Sequence, residues 1–229
     1  MGFPDWCRDP EHLPTLEEID KIPNHWNWCK SDFIHHNPLW TPFQVLNKEF
    51  IEGLSKEITE LSKSLDTDNV SILEVWAWNW RLSYFLKKEL TIDKVKKQVR
   101  QIATDDFSWH EWEDPYIWVR KIDWMWVNDC NIQDSLSIYK PNIVISSWMP
   151  DGQDWTQYFR NNPNIDSFIL IWNPGQCWKK ESWESCDNFT WKEINITWNI
   201  CWEDMSFMWN SDESYSNIVI FKRNKKNTQ

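Results

Sequence analysis

The sequence predicts a doubly wound α/β fold, with a mostly parallel, seven-stranded sheet and an antiparallel C-terminal edge. Three observations predict it. Short apolar runs rich in β-branched residues recur along the chain, such as VSILEV at 70–75, NIVIS at 142–146 and SFILI at 167–171. Runs of this kind suit strands buried on both faces. Segments of helical period fall between them, and that alternation implies parallel pairing with right-handed crossovers. Two further strand-like runs, 193–200 and 217–222, close the chain and can pair as an edge hairpin.

Each element has its own signal. Residues 1–40 are rich in Pro, His, Asn and Asp with little periodicity, and read as an N-terminal arm or lid with a short helix near 16–22. Thr41-Pro42 resembles a helix cap followed by proline in the first turn. Phe43, Leu46, Phe50, Leu54, Ile58, Leu61 and Leu65 then follow at three- and four-residue spacing, which predicts a long amphipathic helix. After the first strand, 70–75, come a helix over 81–90 and a second strand over 99–104 that ends in Asp105-Asp106. A third strand falls either near 118–122 or near Val127. A helix over 132–139, the strand at 142–146, a helix starting near 155 and the strand at 167–171 complete the alternation. The domain spans 41–222, and 223–229 form a basic tail.

Composition narrows the function. A chain of 229 residues suffices for one domain with a sizeable core. No apolar run is long enough for a membrane span, and the start of the chain lacks the basic and apolar regions of a secretory signal, so a cytoplasmic protein is expected. The net charge of −11 disfavours a duplex nucleic acid as partner. None of the six cysteines forms a CxxC pair, and Cys7, His12, His25 and Cys29 match no zinc spacing, so no metal site is expected.

One feature is anomalous: the chain has 21 Trp and only 4 Gly. At ordinary usage a chain of this size would carry about 16 glycines, and a doubly wound fold needs them in tight turns. The tryptophans occupy glycine-like places. Trp28 and Trp80 follow asparagine and Trp124 follows aspartate, where Asn-Gly and Asp-Gly would be strong turn dipeptides. Trp76, Trp78 and Trp80 alternate directly after the first strand. The pattern predicts that UGA codons, which some bacteria read as glycine, are written here as tryptophan. Trp148, Trp155 and Trp183 stand in contexts that suit genuine tryptophan.

Read with glycine, the segment ILEVWAWNWRLSYFL becomes ILEVGAGNGRLSYFL, and it then resembles the class I S-adenosylmethionine-dependent methyltransferases. Their first motif places an acid, any residue and alternating glycines after the first strand. The resemblance implies a Rossmann-like methyltransferase fold, S-adenosyl-L-methionine as cofactor, and a cofactor loop built from Glu74, Trp76, Ala77, Trp78 and Trp80. Small residues there let the backbone approach the cofactor, and the following helix offers its N-terminus. The dinucleotide fingerprint has its third glycine one residue later, so this spacing argues against a nicotinamide oxidoreductase.

The resemblance also implies roles for acids at strand ends. Asp105, or Asp106 beside it, would bond the ribose hydroxyls; a turn or capping aspartate is the other reading. Asp129 would sit near the adenine amino group or cap the following helix. After the fourth strand, SSWMPDGQDWT resembles a poorly characterised bacterial subgroup of the superfamily, and the likeness extends to ILIWNPGQCW, over roughly residues 41–178. Ser147 would border the cofactor, and Trp148, Met149 and Pro150 would line the acceptor pocket or close the core at a strand end. The family's Asn-Pro-Pro-Tyr motif is absent, which disfavours methylation of base nitrogens. Among possible bases (His35, His36, His110, Tyr116 and Asp151), the sequence singles out none. The expected function is methyl transfer to an unidentified acceptor, a small molecule or a protein. The alternatives are a non-catalytic binding protein of the same fold and an aromatic-rich binding module.

Overall fold

The computed structural model describes residues 9, 11–21, 44–77, 81–106, 127–147, 149, 152–172, 179–184, 188–194, 200–201 and 217–224. Its helices are α1 (Leu16–Asp20), α2 (Lys48–Lys63), α3 (Arg81–Glu89), α4 (Ile92–Val95), α5 (Ile132–Tyr139) and α6 (Thr156–Asn161), with a 3₁₀ turn at Lys180–Trp183. The main sheet comprises β1 (Asn69–Val75), β2 (Gln98–Asp105), β3 (Val127–Asp129), β4 (Ile143–Ser147), β5 (Ser167–Trp172), β6 (Phe189–Ile194) and β7 (Asn217–Arg223).

The strand order is β3-β2-β1-β4-β5-β7-β6. β1 pairs in parallel with both β2 and β4, and β3 and β5 extend the parallel region on either side. β7 runs antiparallel between β5 and β6. The chain therefore starts at the centre, winds outward to β3, returns across β1 to β4 and winds the other way. This is the Rossmann-like fold that the sequence predicts, antiparallel edge included.

Alternation along the strands explains why both faces are covered. Ile72, Ile143, Ile145, Ile169, Ile171, Ile218 and Ile220 join one core cluster with Phe50, Ile51, Leu54 and Ile58 of α2 and Leu82, Phe85 and Leu86 of α3. Their neighbours Leu73, Val144, Phe168, Leu170, Val219 and Phe221 join the other, with Leu136 of α5 and Phe159 of α6. Successive side chains of a strand point to opposite faces, so a fully apolar strand needs helices on both. Phe168 and Phe221 stack with ring centroids 4.5 Å apart at 10°. Each such side chain, fully buried, contributes about 1.5–3 kcal/mol.

Several boundaries differ from the sequence-based expectation. α2 starts at Lys48, not at Thr41-Pro42: Asn47 is its N-cap, its side chain accepting from the Phe50 N–H at 2.8 Å. Gln44–Val45 instead pair antiparallel with Ile200–Cys201 in a separate two-stranded ladder. That ladder takes the end of the expected 193–200 strand, while the edge partner of β7 is β6, ending at Ile194. The third strand forms at Val127, the second of its two candidate places. β7 continues to Arg223, one residue into the expected basic tail.

The described part of the N-terminal arm packs on the domain. α1 has a complete capping box between Thr15 and Glu18. Pro14 accepts from the Lys48 N–H at 2.9 Å, and the Leu16 N–H donates to Glu49 at 3.1 Å. Among the described residues no helix is long and apolar enough to cross a membrane, and none of their His, Cys, Asp and Glu side chains group as a metal site.

Candidate functional site

The carboxyl ends of β1, β2 and β3 are laced together by backbone hydrogen bonds. Just past β1, the Ala77 N–H donates to the Thr104 carbonyl of β2 at 3.0 Å, and just past β3 the Cys130 N–H donates to the Asp105 carbonyl at 3.0 Å. Asn131 caps α5, accepting from the Asp134 N–H at 3.0 Å. These bonds hold three strand ends and one helix start in fixed relation.

At those ends lies a cavity of about 240 Å³. Its walls are Val75 and Trp76 after β1, Thr104, Asp105 and Asp106 at β2, Cys130, Asn131 and Ile132 entering α5, and Gln153 and Trp155 before α6. It straddles the point where the winding reverses between β1 and β4, where open α/β sheets bind their ligands. Among the described residues, the walls carry two carboxylates, an amide at Asn131 and another at Gln153, and no lysine, arginine or histidine. Asp105 is buried (1% exposed) and Asp106 is exposed.

Trp76 has φ 58°, in the left-handed region. A bulky side chain is a genuine outlier there, because Cβ crowds the following carbonyl, at a cost of about 1–2 kcal/mol. Glycine takes this conformation freely. The Trp76 ring lies 5.3 Å from that of Trp155, tilted by 57°.

The Trp155 segment is held from both sides. Its N–H donates to the Met149 sulfur at 3.1 Å. On the preceding residue, one Asp154 carboxylate oxygen accepts from the Thr156 N–H at 3.0 Å, the Thr156 hydroxyl at 2.6 Å and the Ser182 hydroxyl at 2.9 Å. Thr156 and Ser182 are fully buried.

Glu74 is not part of the cavity lining. It is buried under α3, where its carboxyl meets the N–H and hydroxyl of Ser83. Gln101 donates to the Ser83 hydroxyl oxygen at 2.9 Å, joining β2 to the same group. Burial pushes the Glu74 carboxyl up to about 8, opposed by its bonds to Ser83 and assisted by the charge of Asp105. Arg81, also buried, donates to the His12 carbonyl at 3.2 Å; burial pulls its guanidinium down to about 10, opposed by Asp9. Glu74 and Arg81 thus brace the two ends of the connection between β1 and α3.

The structure brings together Trp76, Asp105 and Asp106 on the cavity wall. Ala77 is buried beside it and bonds Thr104. Asp129 ends β3 opposite Asp105 and is exposed, outside the cavity lining; the cap of α5 is Asn131, so the capping alternative for Asp129 does not hold. Ser147 ends β4, buried, and Met149 is fully buried, its sulfur engaged by Trp155. Trp78, Trp80, Trp148 and Pro150 lie outside the described residues, as do His35, His36, His110, Tyr116 and Asp151. Cys130, Asn131, Ile132, Gln153 and Trp155 line the cavity without having been assigned to it from sequence. Their signal was positional: each follows the carboxyl end of a strand predicted to be parallel.

No protein-family model matches this chain, and no curated protein matches it. Among solved structures, the chain is similar to the CurJ carbon methyltransferase at 12% identity and a TM-score of 0.46, covering 76% of this chain and 54% of that one. It thus spans about half the length of that structure. It is also similar to TrmK of M. capricolum in complex with S-adenosyl-homocysteine, at 12% identity and a TM-score of 0.38, covering 74% of this chain and 68% of that one.

Proposed function

We propose that this protein transfers a methyl group from S-adenosyl-L-methionine to a small-molecule or protein acceptor, and that positions 76, 78 and 80 are glycine in the native protein. The observation that carries this reading is the cavity at the reversal of winding, where the first residue after β1 holds a left-handed backbone that glycine fits and tryptophan resists. The wall residues fit the cofactor. Asp105 and Asp106 can accept from vicinal hydroxyls, Asn131 can bond the polar edge of a base, and Val75 and Ile132 offer it apolar contact.

When bound, the cofactor supplies an already activated methyl group on a sulfonium. The protein's contribution is alignment and the exclusion of water. The backbone bonds Ala77–Thr104 and Cys130–Asp105 keep the wall rigid, and the Glu74–Ser83 contact fixes the helix that follows the loop. The lid role of the N-terminal arm belongs to this proposal. Arg81, at the start of α3, bonds the arm at His12, so deleting residues 1–40 should weaken activity or acceptor binding.

One observation favours a second reading, a non-catalytic binding protein of the same fold: as written, the Trp76 ring packs against Trp155 on the cavity wall and occupies space a ligand would use. Calorimetry separates the two. The chain with glycine at 76, 78 and 80 should bind S-adenosylhomocysteine, and the chain as written should bind it at least tenfold more weakly. No binding by the glycine form overturns the methyltransferase reading. Peptide masses of the native protein test the recoding independently: tryptophan masses at the three positions would end it.

A further inference from the structure

We infer that Trp155 sets the charge selectivity of the cavity, binding a cationic sulfonium or ammonium group in preference to a neutral thioether through the face of its indole. The inference rests on the proposed function and deepens it.

Three observations carry it. The cavity is polarised along the sheet: its carboxylates, Asp105 and Asp106, stand at the end of β2, while the aromatic wall stands where β1 and the segment after β4 meet. A ligand anchored by hydroxyls on the carboxylates directs its remaining part toward Trp155. Among the described residues no wall residue is cationic, so none of them repels a positive ligand. The backbone that carries the indole is also held in place. The Trp155 N–H donates to the Met149 sulfur, and Asp154 beside it accepts from three donors of the buried Thr156 and Ser182. A segment already ordered loses less entropy when a ligand meets it.

The Trp76 ring packs against that ring here, centroids 5.3 Å apart. Glycine at position 76 removes this contact and leaves Trp155 on the cavity wall without it. An aromatic face attracts a cation within about 6 Å of its centre, through the negative potential over the ring. A neutral thioether of the same shape gains only dispersion there. The consequence is a site that holds the charged methyl donor more firmly than the neutral product, which favours product release.

The test uses the full chain with glycine at 76, 78 and 80, and two non-reacting probes: sinefungin, an amine-bearing analogue that is cationic at neutral pH, and S-adenosylhomocysteine, which lacks that added charge. Calorimetry should give sinefungin about five- to tenfold the affinity of S-adenosylhomocysteine. W155L should reduce that ratio to near one, and W155F should fall between. Circular dichroism checks the fold, and W155F, which keeps an aromatic ring, serves if W155L does not fold. Equal binding of the two probes by the parent overturns the selectivity and leaves the methyltransferase reading standing. An unchanged ratio in W155L or W155F shows that Trp155 is not its source. Binding of neither probe overturns both readings together.

Discussion

The carboxyl of Glu74 is bonded to the N–H and hydroxyl of Ser83, clamping the end of β1 to the first turn of α3 across the candidate cofactor loop. Buried, it takes up its proton at a pH near 8 rather than near the ordinary 4.5. The folded state therefore binds more protons than the unfolded state between those values, and stability falls as pH rises through that window. The contribution is complete below about pH 4.5 and lost above about pH 8. E74Q cannot ionise, so its stability should lack this slope. Measured by urea denaturation from pH 5 to 9, the wild type should lose on the order of 4 kcal/mol relative to E74Q. Parallel curves for the two proteins would place the proton elsewhere.

The φ of 58° at Trp76 can be probed without any ligand. W76A and W76G both remove the indole and its contact with Trp155, but only glycine accepts the left-handed backbone freely. W76G should be more stable than W76A by about 1 kcal/mol in thermal or chemical denaturation. Equal stability would mean that residue 76 is not held in this conformation.

Asn47, fully buried, caps α2 through the Phe50 N–H. N47A should destabilise the protein by about 1–2 kcal/mol, because a buried donor loses its partner. T41A, at the cap suggested by sequence, should change stability by less than about 0.5 kcal/mol. Chemical denaturation of both variants decides which residue starts the helix.

Much of the core was legible because its strands are buried on both faces. Runs such as Ile143–Ile145 and Phe168–Ile171 are apolar at every position, and few other structures bury such a segment. The start of α2 was not legible in the same way. Thr41-Pro42 and Asn47 both satisfy local capping rules, and the choice follows the pairing of Gln44–Val45 with Ile200–Cys201, far away in the chain. β6 was misplaced because only Phe189 of its first five residues is buried, so the strand shows no apolar run.

The order of local chemistry along the chain was enough to set the alternation of strands and helices, the antiparallel edge, and the positions of Trp76 and Asp105 at strand ends. These follow from side-chain periodicity and turn preferences, which act over a few residues. Only the tertiary structure decided that Asp105, Asn131, Gln153 and Trp155 share one cavity, that Asp129 lies outside its lining, and that Glu74 faces Ser83. Those relations arise from the parallel register of strands distant in sequence, and no local preference encodes which strand ends will meet.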